Sequence, residues 1–423
     1  MSSAAVGRDA FDVLIVGAGP AGLAAAYRAA NAGLRVVVVD DNPNPGGQIW
    51  RGEHKQPAST AAREWFERIR RAQIEFIHGA RVFQQSTPNT LLAETAQGVI
   101  ELSYANLILA TGARERFLPF PGWTLPNVMG AGGLQALVKT GLSIEGKKVV
   151  VAGSGPLLLA VAGYLREHGA RVSLIAEQAS PMRLARFGFS LLGAGKSTQA
   201  FELKRRLKGV KYLSDCWVVA AHRDEKLASV TLRRGNKRWQ VECDYLACGF
   251  HLVPNLELAE LLECRIEDGA VNVDEFQQTS APHVYAAGEA TGIGGLELSL
   301  IEGEIAGLAA AGKRDEAEKL FSVRAKGKEF ARILDRSFAL RDELRDLATG
   351  ETLVCRCEDV SFERLKFHDS WRSAKLQTRC GMGPCQGRVC GPAVEFLFDW
   401  RVESVRPPVF PVRVESMCSE FKR

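Results

Sequence analysis

The apolar positions near the start of the chain predict a strand, a helix and a second strand. Val13 to Val16 form one short apolar run, and Val36 to Val39 form another that ends at Asp40. Continuous apolar runs of this length are typical of parallel strands buried on both faces. The alanine-rich stretch between them has the composition of a helix, so residues 13–40 indicate a βαβ unit.

The turn between the first strand and the helix reads GAGPAG, from Gly17 to Gly22. Gly17 permits a tight turn, Gly19 lets the backbone approach a pyrophosphate, and Gly22 lets the helix lie close to the strand. The helix N-terminus then faces the phosphates. Asp40, eighteen residues after Gly22, can accept hydrogen bonds from a ribose. The unit therefore predicts a dinucleotide site.

Residues 147–177 repeat this pattern, with Gly153 and Gly155 after a strand and Glu177 closing the next one. Leu158 stands at the third glycine position. A side chain of that size is expected to hold the helix away from the strand, which weakens the case for a nicotinamide dinucleotide. The second unit is predicted to form, and its ligand stays open between NAD(P), another nucleotide such as ATP, and none.

Further segments predict the surroundings of the first unit. Residues 41–48 form a loop of chain-breaking residues that offers backbone N–H groups, and residues 61–72 have helical spacing. Leu107 to Ala113 indicates a buried strand that ends in small residues. Val284 to Glu289 indicates a late strand that delivers a glycine and an acid, and 297–311 a helix of small residues.

Composition narrows the classes of protein. Of 423 residues, 46% are hydrophobic and 24% charged, which is ordinary for a globular chain. Lys and Arg exceed Asp and Glu only by 54 to 49, without a dense basic block, so we expect no nucleic acid partner. Since the sequence has neither a long apolar segment nor a signal peptide pattern at its N-terminus, we expect no membrane span and a cytoplasmic location.

Five of the ten cysteines fall within a span of thirty-six residues: Cys355, Cys357, Cys380, Cys385 and Cys390. Four thiolates can hold a [2Fe–2S] cluster or one zinc ion, and ordinary burial is the remaining alternative. The pairs Cys380/Cys385 and Cys385/Cys390 have equal spacing, so both fit. We favour Cys355, Cys357, Cys385 and Cys390, with Cys380 as a spare. The other cysteines are expected to fill the core or, at Cys418, to be incidental; the core set is Cys216, Cys243, Cys248 and Cys264.

Four motifs together resemble one family: GAGPAGL at 17–23, PGGQIWR at 45–51, LATGARERFLPFPGWTLPNVMGAGGLQALVK at 109–139, and CRCEDV with GMGPCQGRVC between 355 and 390. The chain resembles the FAD-containing α subunit of bacterial heteromeric amine and imino-acid dehydrogenases. These include opine oxidases, D-hydroxyproline and proline dehydrogenases and hydrogen cyanide synthase. The chain is also similar to part of the sarcosine oxidase α subunit. The resemblance covers residues 10–412 and leaves the substrate open.

The resemblance implies an α/β fold with two Rossmann-like dinucleotide-binding domains of the glutathione-reductase type and a small C-terminal [2Fe–2S] domain. The FAD-binding domain is expected to be discontinuous, at 10–142 and 273–312. It encloses an NAD(P)-like domain at 143–272. A helical linker at 313–349 leads to the cluster domain at 350–412, which is similar to bacterioferritin-associated ferredoxin (BFD-like).

The resemblance also implies site residues. Cys385 and Cys390 are favoured over Cys380, because the residue before GMG is not a required ligand in the family. The segment QIWR after PGG has no cysteine, which disfavours disulfide reduction. No catalytic residue is identified, and His54 and His251 are expected to be structural. The implied FAD contacts are Gly17, Gly19, Pro20, Ala21, Gly22, Asp40, Asp41, Gly46, Gly47, Gln48, Val82, Ala110, Thr111, Gly112, Gly288 and Glu289.

The family implies partners as well. A second flavoprotein, a β subunit resembling D-amino-acid oxidase, houses the amine-oxidising flavin, so this chain is expected to be an electron-transfer subunit. An electron acceptor completes the expected assembly, and a small third subunit stays open. Two alternatives also stay open: a stand-alone NAD(P)H-dependent FAD reductase, and an assembly scaffold with a structural zinc site.

Overall fold

The computed structural model describes residues 10–55, 57, 59–193, 205–223, 226–401 and 405–418. The chain divides into two compact units. Unit one comprises residues 1–114, 254–331 and 404–423, and unit two comprises 115–253 and 332–403. Unit two thus contains both the second βαβ unit and the cysteine-rich segment.

The elements are numbered in chain order. The strands are β1 Phe11–Val16, β2 Val36–Asp40, β3 Ile74–His78, β4 Arg81–Thr87, β5 Thr90–Thr95, β6 Gly98–Leu109, β7 Ala113–Glu115, β8 Val128–Gly130, β9 Lys148–Ser154, β10 Arg171–Glu177, β11 Lys211–Ser214, β12 Trp217–Arg223, β13 Leu227–Arg234, β14 Lys237–Glu242, β15 Tyr245–Phe250, β16 Leu252–Pro254, β17 Ile266–Glu267, β18 Ala270–Val271, β19 Val284–Ala286, β20 Leu353–Cys355 and β21 Val360–Ser361. The α-helices are α1 Pro20–Asn31, α2 Thr60–Arg71, α3 Ala131–Lys139, α4 Leu157–Glu167, α5 Pro181–Gly193, α6 Glu257–Leu261, α7 Gly295–Ala310, α8 Arg314–Glu318, α9 Phe321–Phe338, α10 Phe362–Leu365, α11 Trp371–Thr378, α12 Cys390–Phe398 and α13 Val414–Cys418. Short 3₁₀ helices cover Gly288–Thr291 and Asp342–Leu347.

The main sheet of unit one has the order β3-β2-β1-β6-β5-β4, and β19 pairs with β6. β1 runs parallel to both β2 and β6. Val37 and Val39 belong to the hydrophobic core on one face of the sheet, and Val36 and Val38 to the core on the other. Burial on both faces explains the unbroken valine run, and the predicted first βαβ unit is confirmed.

Helix α7 packs against α1 through two of its glycines. A Cβ atom on Gly303 would lie 2.1 Å from the Ala21 carbonyl oxygen, and one on Gly307 would lie 2.3 Å from that of Ala25. Neither position can accept a larger residue without a backbone shift. The predicted small-residue helix therefore forms, and its glycines bring it close to the helix that follows the first glycine turn.

Unit two is built on a parallel sheet with the order β11-β10-β9-β15-β8. Helix α4 connects β9 to β10, which confirms the predicted second βαβ unit. Strands β12-β13-β14 form a separate antiparallel sheet. In the cysteine-rich segment, the β20–β21 hairpin and helices α10 to α12 share a core that includes Val354, Leu365, Trp371 and Val394.

Among the described residues, no helix combines the length and the apolar character that crossing a bilayer requires.

Candidate functional site

The glycine turn after β1 is sterically closed on its inner side. Gly17 has φ +109°, and a Cβ atom there would lie 2.2 Å from the Ala110 carbonyl oxygen. A Cβ atom on Gly22 would lie 1.8 Å from the carbonyl oxygen of Gly17. Both positions require glycine, because any side chain would push α1 away from β1 and β6. The predicted roles of these two residues in the turn are therefore explained by backbone contacts.

The outer side of the same turn is open. Among the described residues, only the Gly47 Cα lies within 4 Å of where a Cβ on Gly19 would be, at 3.9 Å. The Gly46 N–H donates to the Ala18 carbonyl at 2.8 Å, which ties the PGG loop to the turn. Helix α1 begins at Pro20, and its described residues supply neither a side-chain cap nor an acid in the first turn. Because the turn offers backbone groups and the free N–H groups of a helix N-terminus, it suits an anionic pyrophosphate.

Asp40 fastens the turn from the end of β2. Its Oδ2 accepts a hydrogen bond from the Ala18 N–H at 2.6 Å, and its Oδ1 accepts one from the Asn42 N–H at 2.7 Å. Both carboxylate oxygens thus have backbone donors, and the side chain is buried. The neighbouring Asp41 is 48% exposed and pairs with Arg81 at 3.4 Å. Asp40 is the predicted ribose contact, and Asp41, predicted only as a cofactor contact, offers the more accessible carboxylate.

The end of β6 is held by Asn255. Its side-chain Nδ2 donates to the Thr111 carbonyl at 2.8 Å, and the Thr111 hydroxyl donates to the Asn255 carbonyl at 2.8 Å. The Asn255 N–H donates to the Gly112 carbonyl at 2.9 Å. Arg114 donates to the Asn255 Oδ1 at 2.7 Å. This reciprocal set fixes the backbone of Thr111 and Gly112, the two residues predicted to border a flavin.

The late glycine and acid come next to α1. Gly288 has φ +74°, and a Cβ atom there would lie 2.7 Å from that of Ala21. The carboxyl group of Glu289 is largely buried, which raises its pKa. Beneath them, Glu302 of α7 accepts from the Gly288 N–H at 3.1 Å and from the Thr291 hydroxyl at 2.9 Å. Sequence reasoning missed Glu302, although an acid within an otherwise small and apolar helix was a usable signal.

Two further predicted contacts are Val82 and Gln48. Val82 is buried in β4, paired with Ala93. The Ala80 N–H donates to the Asp40 carbonyl at 3.0 Å, which brings the start of β4 beside the end of β2. Gln48 is exposed, and its Oε1 accepts from Arg51. The structure therefore brings Ala110, Gly288 and the glycines of both loops together around one turn.

The five clustered cysteines lie close together in unit two. The sulfur atoms of Cys355, Cys380 and Cys390 all lie within 4.8 Å of one another, and all three residues are buried. The Cys357 and Cys385 sulfurs are 3.8 Å apart, with Cys357 exposed and Cys385 half-buried. The four favoured ligands are thus divided between two groups. Cys380 accompanies Cys355 and Cys390, a position that spacing alone left open.

Two glycines of the GMG segment, Gly381 and Gly383, allow close packing around the five cysteines. A Cβ atom on Gly383 would lie 2.3 Å from that of Cys357, so the absence of a side chain lets the loop approach this cysteine. A Cβ atom on Gly381 would lie 2.6 Å from the Trp371 ring. Iron–sulfur clusters and structural zinc both require thiolate sulfur as a donor, and the three buried sulfur atoms lie close enough together to share one metal ion.

The remaining cysteines behave as core residues. The predicted core set is buried, which confirms that interpretation; its members are Cys216, Cys243, Cys248 and Cys264. Cys418 is exposed. Within the sequence ranges of unit one, the cysteines are Cys264 and Cys418.

The second glycine turn differs from the first in its third position. Leu158 is fully buried, and its Cδ2 lies 3.7 Å from where a Cβ on Gly249 would be, so the side chain fits beside a glycine of β15. Glu177 accepts hydrogen bonds from the Gly155 and Ala179 N–H groups, both at 2.8 Å. Burial raises its pKa to about 7. The Glu177 carboxyl group at the end of β10 therefore bonds to backbone N–H groups of unit two.

The chain is similar to one protein family, to two subunits of bacterial enzymes and to one solved structure. Residues 11–311 match the pyridine nucleotide-disulphide oxidoreductase family. The chain is 32% identical to the hydrogen cyanide synthase subunit HcnB of Pseudomonas aeruginosa, over 89% of this chain and 90% of that protein. It is 31% identical to an opine oxidase subunit of Rhizobium meliloti, over 95% and 97%. The structure of L-proline dehydrogenase from P. horikoshii superposes with a TM-score of 0.67 at 20% identity, covering 97% of this chain and 79% of that one, and supports the fold alone.

Proposed function

This chain belongs to the pyridine nucleotide-disulphide oxidoreductase family, and from that premise we propose that it is the FAD- and [2Fe–2S]-containing electron-transfer subunit of a heteromeric dehydrogenase. It is an FAD-dependent oxidoreductase related to HcnB and opine oxidase subunits. The substrate class that we propose is an amine or imino acid of the opine or hydroxyproline type. Its C–N bond is oxidised on a D-amino-acid-oxidase-like partner subunit.

The observation that supports this proposal most is that one chain carries both the glycine-rich turn of unit one and the cysteine group of unit two. Disulfide reductases need a redox-active pair of thiols, and the sequence ranges of unit one hold only Cys264 and Cys418. Cys264 is buried, with its sulfur 3.4 Å from the Thr279 hydroxyl. The cysteines that could carry electrons are instead gathered in the segment 355–390.

In this proposal the residues of unit one bind and orient FAD. The open surface formed by Gly19 and Gly47 holds the pyrophosphate, and the backbone of Thr111 and Gly112, fixed by Asn255, borders the flavin ring. Glu302 holds the Gly288 N–H, and Gly288 and Glu289 would complete the binding surface for the cofactor. When bound, FAD supplies two-electron chemistry and the cluster supplies one-electron chemistry.

The cysteine residues hold the second centre. Cys355, Cys357, Cys385 and Cys390 are the proposed ligands, and Cys357 and Cys385 are the more accessible of them. An accessible edge suits electron exchange with another protein. The names of the two relatives designate them as subunits, which supports a partner for this chain.

The proposal is tested by purifying the full chain anaerobically, with and without its co-expressed partner, and counting FAD, iron and zinc. We expect about one FAD and about two iron atoms per chain, as a [2Fe–2S] cluster requires. We also expect flavin bands that NADH leaves oxidised. Zinc without iron would favour the scaffold alternative, and rapid bleaching by NADH would favour the stand-alone reductase.

A further inference from the structure

A segment of the chain itself lies across the edge of the sheet in unit two where nucleotides bind in this kind of fold. In open α/β sheets, ligands bind at the carboxyl ends of the parallel strands. Ser154 is the last residue of β9, and its hydroxyl donates to the Phe338 carbonyl at 2.8 Å. His251 follows β15 directly, and its Nε2 donates to the same carbonyl at 2.7 Å. Two central strands thus hold one peptide group of this segment.

The end of the third strand holds the next peptide group. Gln178 follows β10, and its Nε2 donates to the Ser154 hydroxyl at 2.8 Å and, at 3.3 Å, to the Ala339 carbonyl. Arg183 also donates to the Ala339 carbonyl, at 2.9 Å. Since the Ser154 hydroxyl accepts from Gln178, its own proton is directed at Phe338. The contacts therefore form a connected set rather than isolated hydrogen bonds.

The side chain of Phe338 fills the place above the second glycine. It is 4% exposed, and its Cγ lies 3.9 Å from where a Cβ on Gly155 would be. The Phe187 ring packs edge-on against it, with centroids 4.9 Å apart. In a dinucleotide-binding fold, the second glycine of the turn is the one that the pyrophosphate approaches. An aromatic ring at this position excludes a pyrophosphate from it.

Arg341 anchors the other end of the segment. Its guanidinium pairs with Asp215 at 2.5 Å and lies over the Trp217 ring, 4.2 Å from the centroid. Glu177, the last residue of β10, accepts a hydrogen bond from the Gly155 N–H, so its carboxylate is already bonded to the glycine turn that follows β9. The two positions that would contact a nucleotide, Gly155 and Glu177, are therefore both occupied: Phe338 covers Gly155, and Glu177 is bonded to backbone N–H groups.

We infer that residues 338–341 are the built-in ligand of the second dinucleotide-type sheet, and that this sheet takes no nicotinamide nucleotide. Its binding edge recognises two peptide carbonyls, an aromatic ring and a guanidinium from the same chain. Electrons consequently do not enter through unit two from NAD(P)H. This inference goes beyond the proposed function and does not depend on the cofactors of unit one.

The inference is tested by hydrogen exchange on the full chain, measured by mass spectrometry on peptides covering 336–343. In the native protein we expect strong protection that millimolar NADH or NADPH leaves unchanged. We also expect no saturable quenching or enhancement of NADH fluorescence. Saturable binding accompanied by faster exchange in this segment would show displacement by the nucleotide and would overturn the inference.

Variants test whether the donors at the strand ends hold the segment. Ser154→Ala should raise exchange across 336–343 by roughly two- to tenfold, the range for one lost hydrogen bond. Gln178→Ala provides a second variant in case the first folds poorly. Thr140→Ala, which removes an exposed hydroxyl from the end of α3, is the matched control and should change nothing there. Unchanged exchange in both folded variants would contradict the inference. Loss of FAD or iron, counted separately, would affect only the proposed function.

Discussion

The buried carboxylate of Glu302 accepts hydrogen bonds from the Gly288 N–H at 3.1 Å and from the Thr291 hydroxyl at 2.9 Å. Glu302 is 1% exposed, and the Lys328 ammonium lies 3.9 Å from its Oε1. A single side chain of α7 thus sets the conformation of the turn that carries Glu289. Burial raises the pKa of Glu302 to about 7, although Lys328 and Arg324 oppose this rise.

The raised pKa of Glu302 predicts how the stability of the Glu302→Gln variant changes with pH. The Glu302 carboxyl group holds its proton more tightly in the native state than in the unfolded chain. Its contribution to the free energy of unfolding is therefore fully present below pH 4.5 and is lost as the pH rises through about 7. The amide keeps an acceptor oxygen and has no charge. We therefore expect the thermal midpoint of the variant to rise relative to the native protein between pH 5 and pH 8, as measured by calorimetry. Glu318→Gln, at an exposed site of the same unit, is the control, and a pH-independent difference would refute the role of charge.

Substitutions at Gly19 and at Gly17 should have different effects, the first on cofactor binding and the second on folding. Gly19 has φ −75°, which any residue adopts, and the space beyond it is open. Gly19→Leu should therefore fold normally and lose most of its FAD, measured as flavin absorbance per chain. Gly17→Ala should instead destabilise the protein, because its Cβ would lie 2.2 Å from a backbone oxygen. Gly163→Ala in α4, with open space around it, is the control. Normal flavin content in Gly19→Leu would place the pyrophosphate elsewhere.

The two adjacent aspartates should have separable effects. Asp40→Ala leaves the buried Ala18 N–H without its acceptor, so we expect a loss of about 1–3 kcal/mol in the free energy of unfolding. Asp41→Asn should leave that free energy nearly unchanged and weaken FAD retention. Urea unfolding and flavin content measured on both variants distinguish these roles. Equal flavin loss at unchanged stability in both variants would contradict this division and would support the ribose contact that the sequence predicts for Asp40.

Single Cys→Ser variants decide the ligand set. We expect Cys355, Cys357, Cys385 and Cys390 each to be required for iron loading, and Cys380→Ser to retain iron. Iron per chain and the visible absorbance bands are the measurements, and Cys418→Ser, at an exposed thiol, is the control. Because Cys380 lies with Cys355 and Cys390, loss of iron in Cys380→Ser with normal loading in Cys385→Ser would replace one member of the proposed set.

The sequence alone determined both βαβ units and the glycines of their turns. A strand buried on both faces must be apolar throughout, and a turn that meets backbone atoms at about 2 Å must lack a side chain. These are local demands, so they are visible in consecutive residues such as Val36 to Val39 and Gly17 to Gly22. The predicted helices over residues 61–72 and 297–311 followed from the same local periodicity.

Only the tertiary structure decided which distant groups meet. Ser154 and Phe338 are 184 residues apart, and neither lies in a pattern that indicates the other. Glu302 finds Gly288 across a turn and a helix, and Cys380 reaches Cys355 across a hairpin and two helices. Equal cysteine spacings could not rank the ligands for the same reason. Local periodicity records the face that a residue presents, whereas its partner depends on how whole elements pack, which no short stretch of sequence specifies.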